Sequence, residues 1–147
     1  MFRSIVVGTD GSETAKQAVK HAIDLARSVG GSLKLVSAYE PVPDQRLRQE
    51  RGEVPKDVEW AVNPREDVES TLGDAEDEAK AAGVEVQTFS RRGDPSDAIL
   101  DVAEEENADL IIVGNKGMTG AKRFLLGSVP NKVSHHAPCS VLIIRTT

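Results

Sequence analysis

Short apolar runs alternate with amphipathic stripes of helical spacing along this chain, and that alternation restricts the fold more than any other feature. Ile5, Val6 and Val7 stand uninterrupted within 2–9, as suits a strand covered on both faces. The run stops at the turn Gly8-Thr9-Asp10-Gly11, after which Ala15, Ala18, Val19, Ala22, Ile23, Ala26 and Val29 recur three and four residues apart. Lys16, Gln17, Lys20, His21, Asp24 and Arg27 fill the gaps, which predicts an amphipathic helix with His21 on its solvated side. Ser12 or Asp10 can cap its start, and Gly30-Gly31 supplies a left-handed stop. Further strands are predicted at 32–38, 84–89, 110–113 and 141–144. Between them, Val68, Leu72, Ala75, Ala79 and Ala82 form one helical stripe that ends at Gly83. Ala98, Ile99, Val102 and Ala103 form another, with Asp94 as cap and Pro95 at the first helical position.

Parallel strands joined by right-handed helical crossovers follow from this order of elements. The predicted class is therefore α/β, an open five-stranded parallel sheet with helices on both faces, a Rossmann- or flavodoxin-like layered sandwich. With 147 residues, 39% of them hydrophobic, the chain has material for one core and is read as a single domain over 1–147. The stretch 40–64 interrupts the rhythm with Pro41, Pro43, Pro55 and Pro64 and has no clear period. It reads as a surface excursion anchored by Trp60, with Arg46, Arg48 and Arg51 solvated; the sharper reading is a lid whose arginines meet phosphate.

Charge narrows the range of partners. Asp and Glu total 24 against 18 Lys and Arg, a net charge of -6, so no general attraction to nucleic acid or to an anionic membrane is expected. Any phosphate must be held locally. The sequence shows neither a leader pattern nor an apolar run long enough to span a bilayer, which makes the cytoplasm the expected location. A lone cysteine, Cys139, excludes an internal disulfide and reads as a structural thiol.

In an open α/β sheet, ligands bind beyond the carboxyl ends of the strands. Two loops stand out there. Thr9-Asp10-Gly11-Ser12 sets a carboxylate beside a helix start, and the glycine-rich segment 114–120 precedes Gly127-Ser128 at the head of another helix. Glycine allows the main chain to approach a phosphate with no side chain in the way, so Gly114, Gly117 and Gly127 are placed to expose amides. Ser128, followed by Val129, Pro130, Val133 and His136, lies at the positive end of a helix dipole, and Lys116, Lys122 or Arg123 can add charge. No G-x-x-x-x-G-K-[ST] or G-x-G-x-x-G pattern occurs. His135 and His136 lack further ligands at zinc spacing, and no G-x-S-x-G elbow supports a hydrolase.

The pattern Gly114-x2-Gly117-x9-Gly127-Ser128 resembles the nucleotide-binding signature of ATP-binding universal stress proteins. The likeness runs from Ile5-Val-Val-Gly-Thr-Asp-Gly-Ser12 through Leu125-Leu-Gly-Ser128 to His136-Ala-Pro-Cys139 and Val141-Leu-Ile-Ile-Arg145. The resemblance implies the strand order 3-2-1-4-5 and a crevice between the first and fourth strands. It also implies adenine near Ala38 and by Asp10, ribose and phosphates near Val113, Gly114 and Gly117, and the phosphate chain at Gly127, Ser128 and Val129, with Thr9 among the nucleotide-binding residues and Lys116 a less regular member. Asp10 would hold Mg²⁺ through water. In that order the strand Val141, Leu142, Ile143, Ile144, Arg145 lies on an edge, and pairing with a second copy would cover it.

Three functions remain open on these residues. The first is a dimeric, nucleotide-responsive regulatory module of the stress response that binds ATP, ADP or AMP and acts on unidentified protein partners. The second is a slow Mg-dependent ATPase or phosphotransfer enzyme, for which no dedicated base or γ-phosphate stabiliser stands out. The third, an interaction protein with a vestigial pocket, sits poorly with an intact Gly114, Gly117, Gly127 and Ser128.

Overall fold

A computed structural model describes residues 2–39, 65–115 and 128–146 of the chain. In order these form β1 (Ser4–Gly8), α1 (Glu13–Val29), β2 (Ser32–Tyr39), α2 (Arg65–Ala81), β3 (Val86–Arg92), α3 (Pro95–Glu105), β4 (Leu110–Gly114), α4 (Ser128–His136) and β5 (Ser140–Ile144). All the strand pairings are parallel, in the order β3-β2-β1-β4-β5. The register sets Ile5 of β1 against both Leu33 of β2 and Leu110 of β4. The excursion 40–64, with Arg46, Arg48, Arg51 and Trp60, lies outside the described residues, as do Lys116, Gly117, Lys122, Arg123 and Gly127.

Alternation along each strand sends its side chains to two cores. Ile5, Val7, Leu33, Leu35 and Ile112 pack with Val19, Ile23, Val68 and Leu72 of α1 and α2. On the other face Val6, Val36, Ile111 and Val113 meet Ile99 and Val102 of α3 and Val133 of α4. The central strands are buried on both sides, which is why they read as continuous apolar runs. The sheet's two edges differ. β3 carries Gln87, Thr88, Ser90, Arg91 and Arg92, whereas β5 carries Val141, Leu142, Ile143 and Ile144, with Leu142 40% exposed.

Helix ends follow their predicted chemistry. Ser12 Oγ accepts from the Ala15 amide at 3.2 Å and caps α1; Asp10 instead accepts from Ser12 N at 2.7 Å. Asp94 accepts from Asp97 N at 3.1 Å and caps α3, with Pro95 behind it. The third strand is displaced from its predicted span of 84–89. Val84 N donates to Ala79 O at 3.0 Å, completing the turn that leaves α2, so pairing starts at Val86. It then continues through Ser90, Arg91 and Arg92 against Ser37, Ala38 and Tyr39; an edge strand tolerates such polar residues, and they hide it from an apolar pattern.

The glycine pair after α1 divides its work. Only Gly30, at φ 70°, takes the left-handed stop. Gly31 is needed for space, because a Cβ there would come to 2.5 Å from the Phe2 carbonyl oxygen and 3.3 Å from that of Arg3. Gly31→Ala is therefore expected to cost about 2 kcal/mol, lowering Tm by roughly 6 °C. Gly73→Ala, inside α2 with nothing within 4 Å of the new methyl, is expected to raise stability by about 0.5 kcal/mol. Thermal unfolding of the two variants checks both signs.

Asp109, just before β4, fastens the start of β1. Its Oδ2 accepts from Arg3 N at 2.8 Å and its Oδ1 from Ser4 N at 3.0 Å, while Asp109 N donates to Ser4 O at 3.0 Å. Desolvation pushes this carboxyl upward, but the amides of Arg3, Ser4 and Asp109 itself outweigh it and hold the pKa below the ordinary carboxylate value. A folded-state pKa below the unfolded one gives a contribution that is complete at neutral pH and fades as pH falls below about 4. Chemical denaturation should find Asp109→Asn less stable than wild type at pH 7, with the gap closing in that acid range.

Candidate functional site

The site is built where strands end. β1 and β4 are adjacent, and the pairing of Val7 with Ile112 brings their carboxyl ends level. Thr9 continues the sheet beyond β1, its N–H donating to Val36 O at 2.9 Å, and its side chain is only 8% exposed. Its Oγ1 accepts from Gly11 N at 3.3 Å. Gly11 has φ +83°, so the chain reverses into α1 within two residues of the strand; a Cβ on it would also come to 2.9 Å from Thr71 Oγ1 of α2. Asp10 is thus pinned just past the end of β1 through Oδ1, the oxygen that accepts from Ser12 N.

Ala38 and Val113 are both buried on the α3–α4 side, in the same cluster, and Val129 of α4 packs against it. Gly114 is the last residue of β4, paired with Ile144, and is half-buried. Thr9, Asp10, Ala38, Val113 and Gly114 therefore come from the carboxyl ends of the three inner strands, β2, β1 and β4. α4 opens at Ser128, which is exposed, while Pro130 and Val133 anchor the helix inward. The first amides of a helix have no partner within it, and Pro130 has none to offer, so those of Ser128 and Val129 are the donors at this end. Lys116, Gly117 and Gly127 complete the predicted set and lie outside the described residues.

α4 is aligned from outside. Lys132 Nζ lies 2.9 Å from Asp97 Oδ1 and 3.5 Å from Asp94 Oδ2, bridging the second turn of α4 to the capped start of α3. The hydrogen bond to Asp97 raises the Lys132 pKa first, with the charges of both carboxylates adding to it, so the ammonium is kept and is committed to α3. Cys139 packs against the same core; burial raises its thiol pKa, and the Asp109 charge adds to the rise, so it stays protonated at neutral pH. Among the described residues no three His, Cys, Asp or Glu side chains group into a metal site, and no helix is long and apolar enough to cross a membrane.

Two contributors escaped the sequence reading. Gly8 leaves room for the Ile99 side chain, which a Cβ at Gly8 would strike, so α3 can lie close over the end of β1. Asn115 follows Gly114, and its carboxamide reaches Thr146 beyond β5. Neither carries a local signal, since each partner is distant in the chain.

Comparison with known proteins bears on the family and the fold. The model of the universal stress protein family matches residues 1–145. Universal stress protein Rv1636 of Mycobacterium tuberculosis is 37% identical, over 99% of this chain and 98% of its own length. Universal stress protein MJ0531 of Methanocaldococcus jannaschii is 31% identical, over 99% of this chain and 83% of its own length. Among solved structures, a universal stress protein in complex with cAMP superposes with a TM-score of 0.73 at 33% identity, covering 99% of this chain and 98% of that one. With family match, relatives and sheet order in agreement, this chain belongs to the universal stress protein family.

Proposed function

We propose that the protein is an adenine-nucleotide-binding regulatory module of the stress response, whose output is a change in the surface presented to protein partners. The observation that carries the reading is the convergence of Thr9, Asp10, Val113 and Gly114 at adjacent strand ends, in a chain whose predicted phosphate loop leads into the N-terminus of α4. The cAMP held by a relative of the same fold supports an adenosine ligand. Adenine would lie by Ala38 and Asp10, ribose and phosphates along Val113, Gly114, Lys116 and Gly117, and the phosphate tail at Gly127, Ser128 and Val129. ATP is the nucleotide proposed; ADP and AMP share its adenosine contacts.

Asp10 fits Mg²⁺ only as an outer partner, because one carboxylate that already accepts from Ser12 N falls short of a site for an ion that keeps its waters and binds with substrate phosphates. The ion would screen the phosphates in a chain of net charge -6. Strand β5 is proposed to pair with a second copy along Val141–Arg145. Its position at the sheet edge and the exposed Leu142 support this, since an apolar edge left bare invites uncontrolled pairing. The chain would act as one domain in the cytoplasm.

The experiment is to identify any nucleotide that copurifies, titrate ATP and cAMP by calorimetry, and follow labelled ATP in excess for hours. Binding with the nucleotide left intact is the expected result. Multiple turnovers abolished by Asp10→Ala would replace the module with a slow Mg-dependent ATPase, and absence of adenine-nucleotide binding would overturn both.

A further inference from the structure

Asn115 joins the two regions that the proposed function keeps separate. Its N–H donates to Ile144 O at 2.9 Å, carrying the β4–β5 ladder past Gly114. Its side-chain Oδ1 accepts from Thr146 N at 2.8 Å and from Thr146 Oγ1 at 3.1 Å. A backbone N–H can only donate, so the oxygen of the carboxamide must be the atom that faces Thr146. One side chain, 31 residues away in sequence, thereby holds both donors of the residue that follows Arg145.

We propose that Asn115 is a positioning residue that couples occupation of the adenine-nucleotide site at Gly114 to the order of the C-terminal segment Arg145–Thr146, an inference that rests on the nucleotide reading above. Asn115 shares a peptide bond with Gly114, so a ligand that restrains the Gly114 backbone also restrains the origin of the Asn115 side chain. Its hold on Thr146 then tightens. In return, a fixed Thr146 narrows the positions open to Gly114 before the ligand arrives. The two effects are one coupling free energy seen from either end. A carboxamide suits the post because it accepts both bonds without setting a negative charge beside phosphates, as a carboxylate would.

The test uses the full chain labelled with nitrogen-15, with ATP binding measured by calorimetry and exchange of the Thr146 amide followed by NMR. Saturating ATP is expected to slow that exchange roughly tenfold in the wild type, the worth of about one hydrogen bond. Asn115→Ala should still bind ATP, about fivefold more weakly, with Thr146 exchanging fast whether or not ATP is present. Asn115→Asp, which keeps the acceptor, should restore slow exchange and weaken ATP more than uncharged adenosine. Thr146→Ala, which keeps the backbone donor, should retain part of the ATP-dependent slowing. The proposal is overturned if wild type binds ATP with Thr146 exchange unchanged, or if Asn115→Ala shows the same slowing as wild type. Failure of wild type to bind ATP would instead defeat the nucleotide reading, and this inference with it.

Discussion

Replacement of Gly114 by valine is expected to abolish ATP binding, a loss of at least about a hundredfold in calorimetric affinity, while leaving thermal unfolding cooperative. Gly114 is the last residue of β4, half-buried and paired with Ile144, so a β-branched residue suits its backbone. What valine changes is the space above the main chain. Ribose and phosphates are proposed to lie against Gly114 directly, and two added methyl groups would occupy that space. Gly127→Val tests the far end of the same glycine set. Unchanged affinity in both variants would remove the strand-end assignment, whatever the fate of the fold.

The largest effect on stability is expected at Leu33→Ala. Leu33 is fully buried in β2, between Ile5 of β1 and Val86 of β3, and packs in the core beneath α1 and α2. Its removal takes away burial energy and opens a cavity between two ordered layers, a combined cost of about 2–5 kcal/mol. In a chain of this size that lowers Tm by roughly 6–15 °C. Leu33 sits near the opposite end of β2 from Ala38, so ATP affinity of the folded protein should stay at the wild-type value. Denaturant titration gives the first quantity and calorimetry below the transition gives the second. A loss under about 1 kcal/mol would mean that this part of the core repacks without a void.

Much of the fold was legible because the signals that specify it are local. Val19, Ile23 and Ala26 declare one buried face of α1 by their spacing alone, and the structure buries all three. The apolar run of β4 announces a strand covered on both sides, and Leu110, Ile111, Ile112 and Val113 are all buried. Capping chemistry is equally local: Ser12 and Asp94 each serve an amide three residues ahead. β3 was misplaced for the complementary reason. Its later half, Ser90 to Arg92, is a strand only because Ser37, Ala38 and Tyr39 lie alongside, and nothing in those polar residues says so.

The candidate site divides in the same way. Thr9-Asp10-Gly11-Ser12 and the spaced glycines are readable from composition at a turn, since only certain residues reverse a chain or expose its amides. The work of Gly8 and Gly31 is not, because it depends on Ile99 and on the Phe2 carbonyl, which packing brings near. Asn115 is a loop asparagine like any other until Thr146 is beside it, and Asp109 is one carboxylate among many until Arg3 and Ser4 arrive from 106 and 105 residues away.

By itself, then, the amino-acid sequence determined the order of helices and strands and the faces most of them bury, and it marked the turns proposed to meet an anion, because periodicity and turn preference act between residues a few positions apart. Only the tertiary structure decided the register that sets Val7 of β1 against Ile112 of β4, and that the residue after Gly114 is tied to the segment beyond β5. Those contacts join residues far apart in the chain, and their energies exist only once the two layers of helices have closed on the sheet.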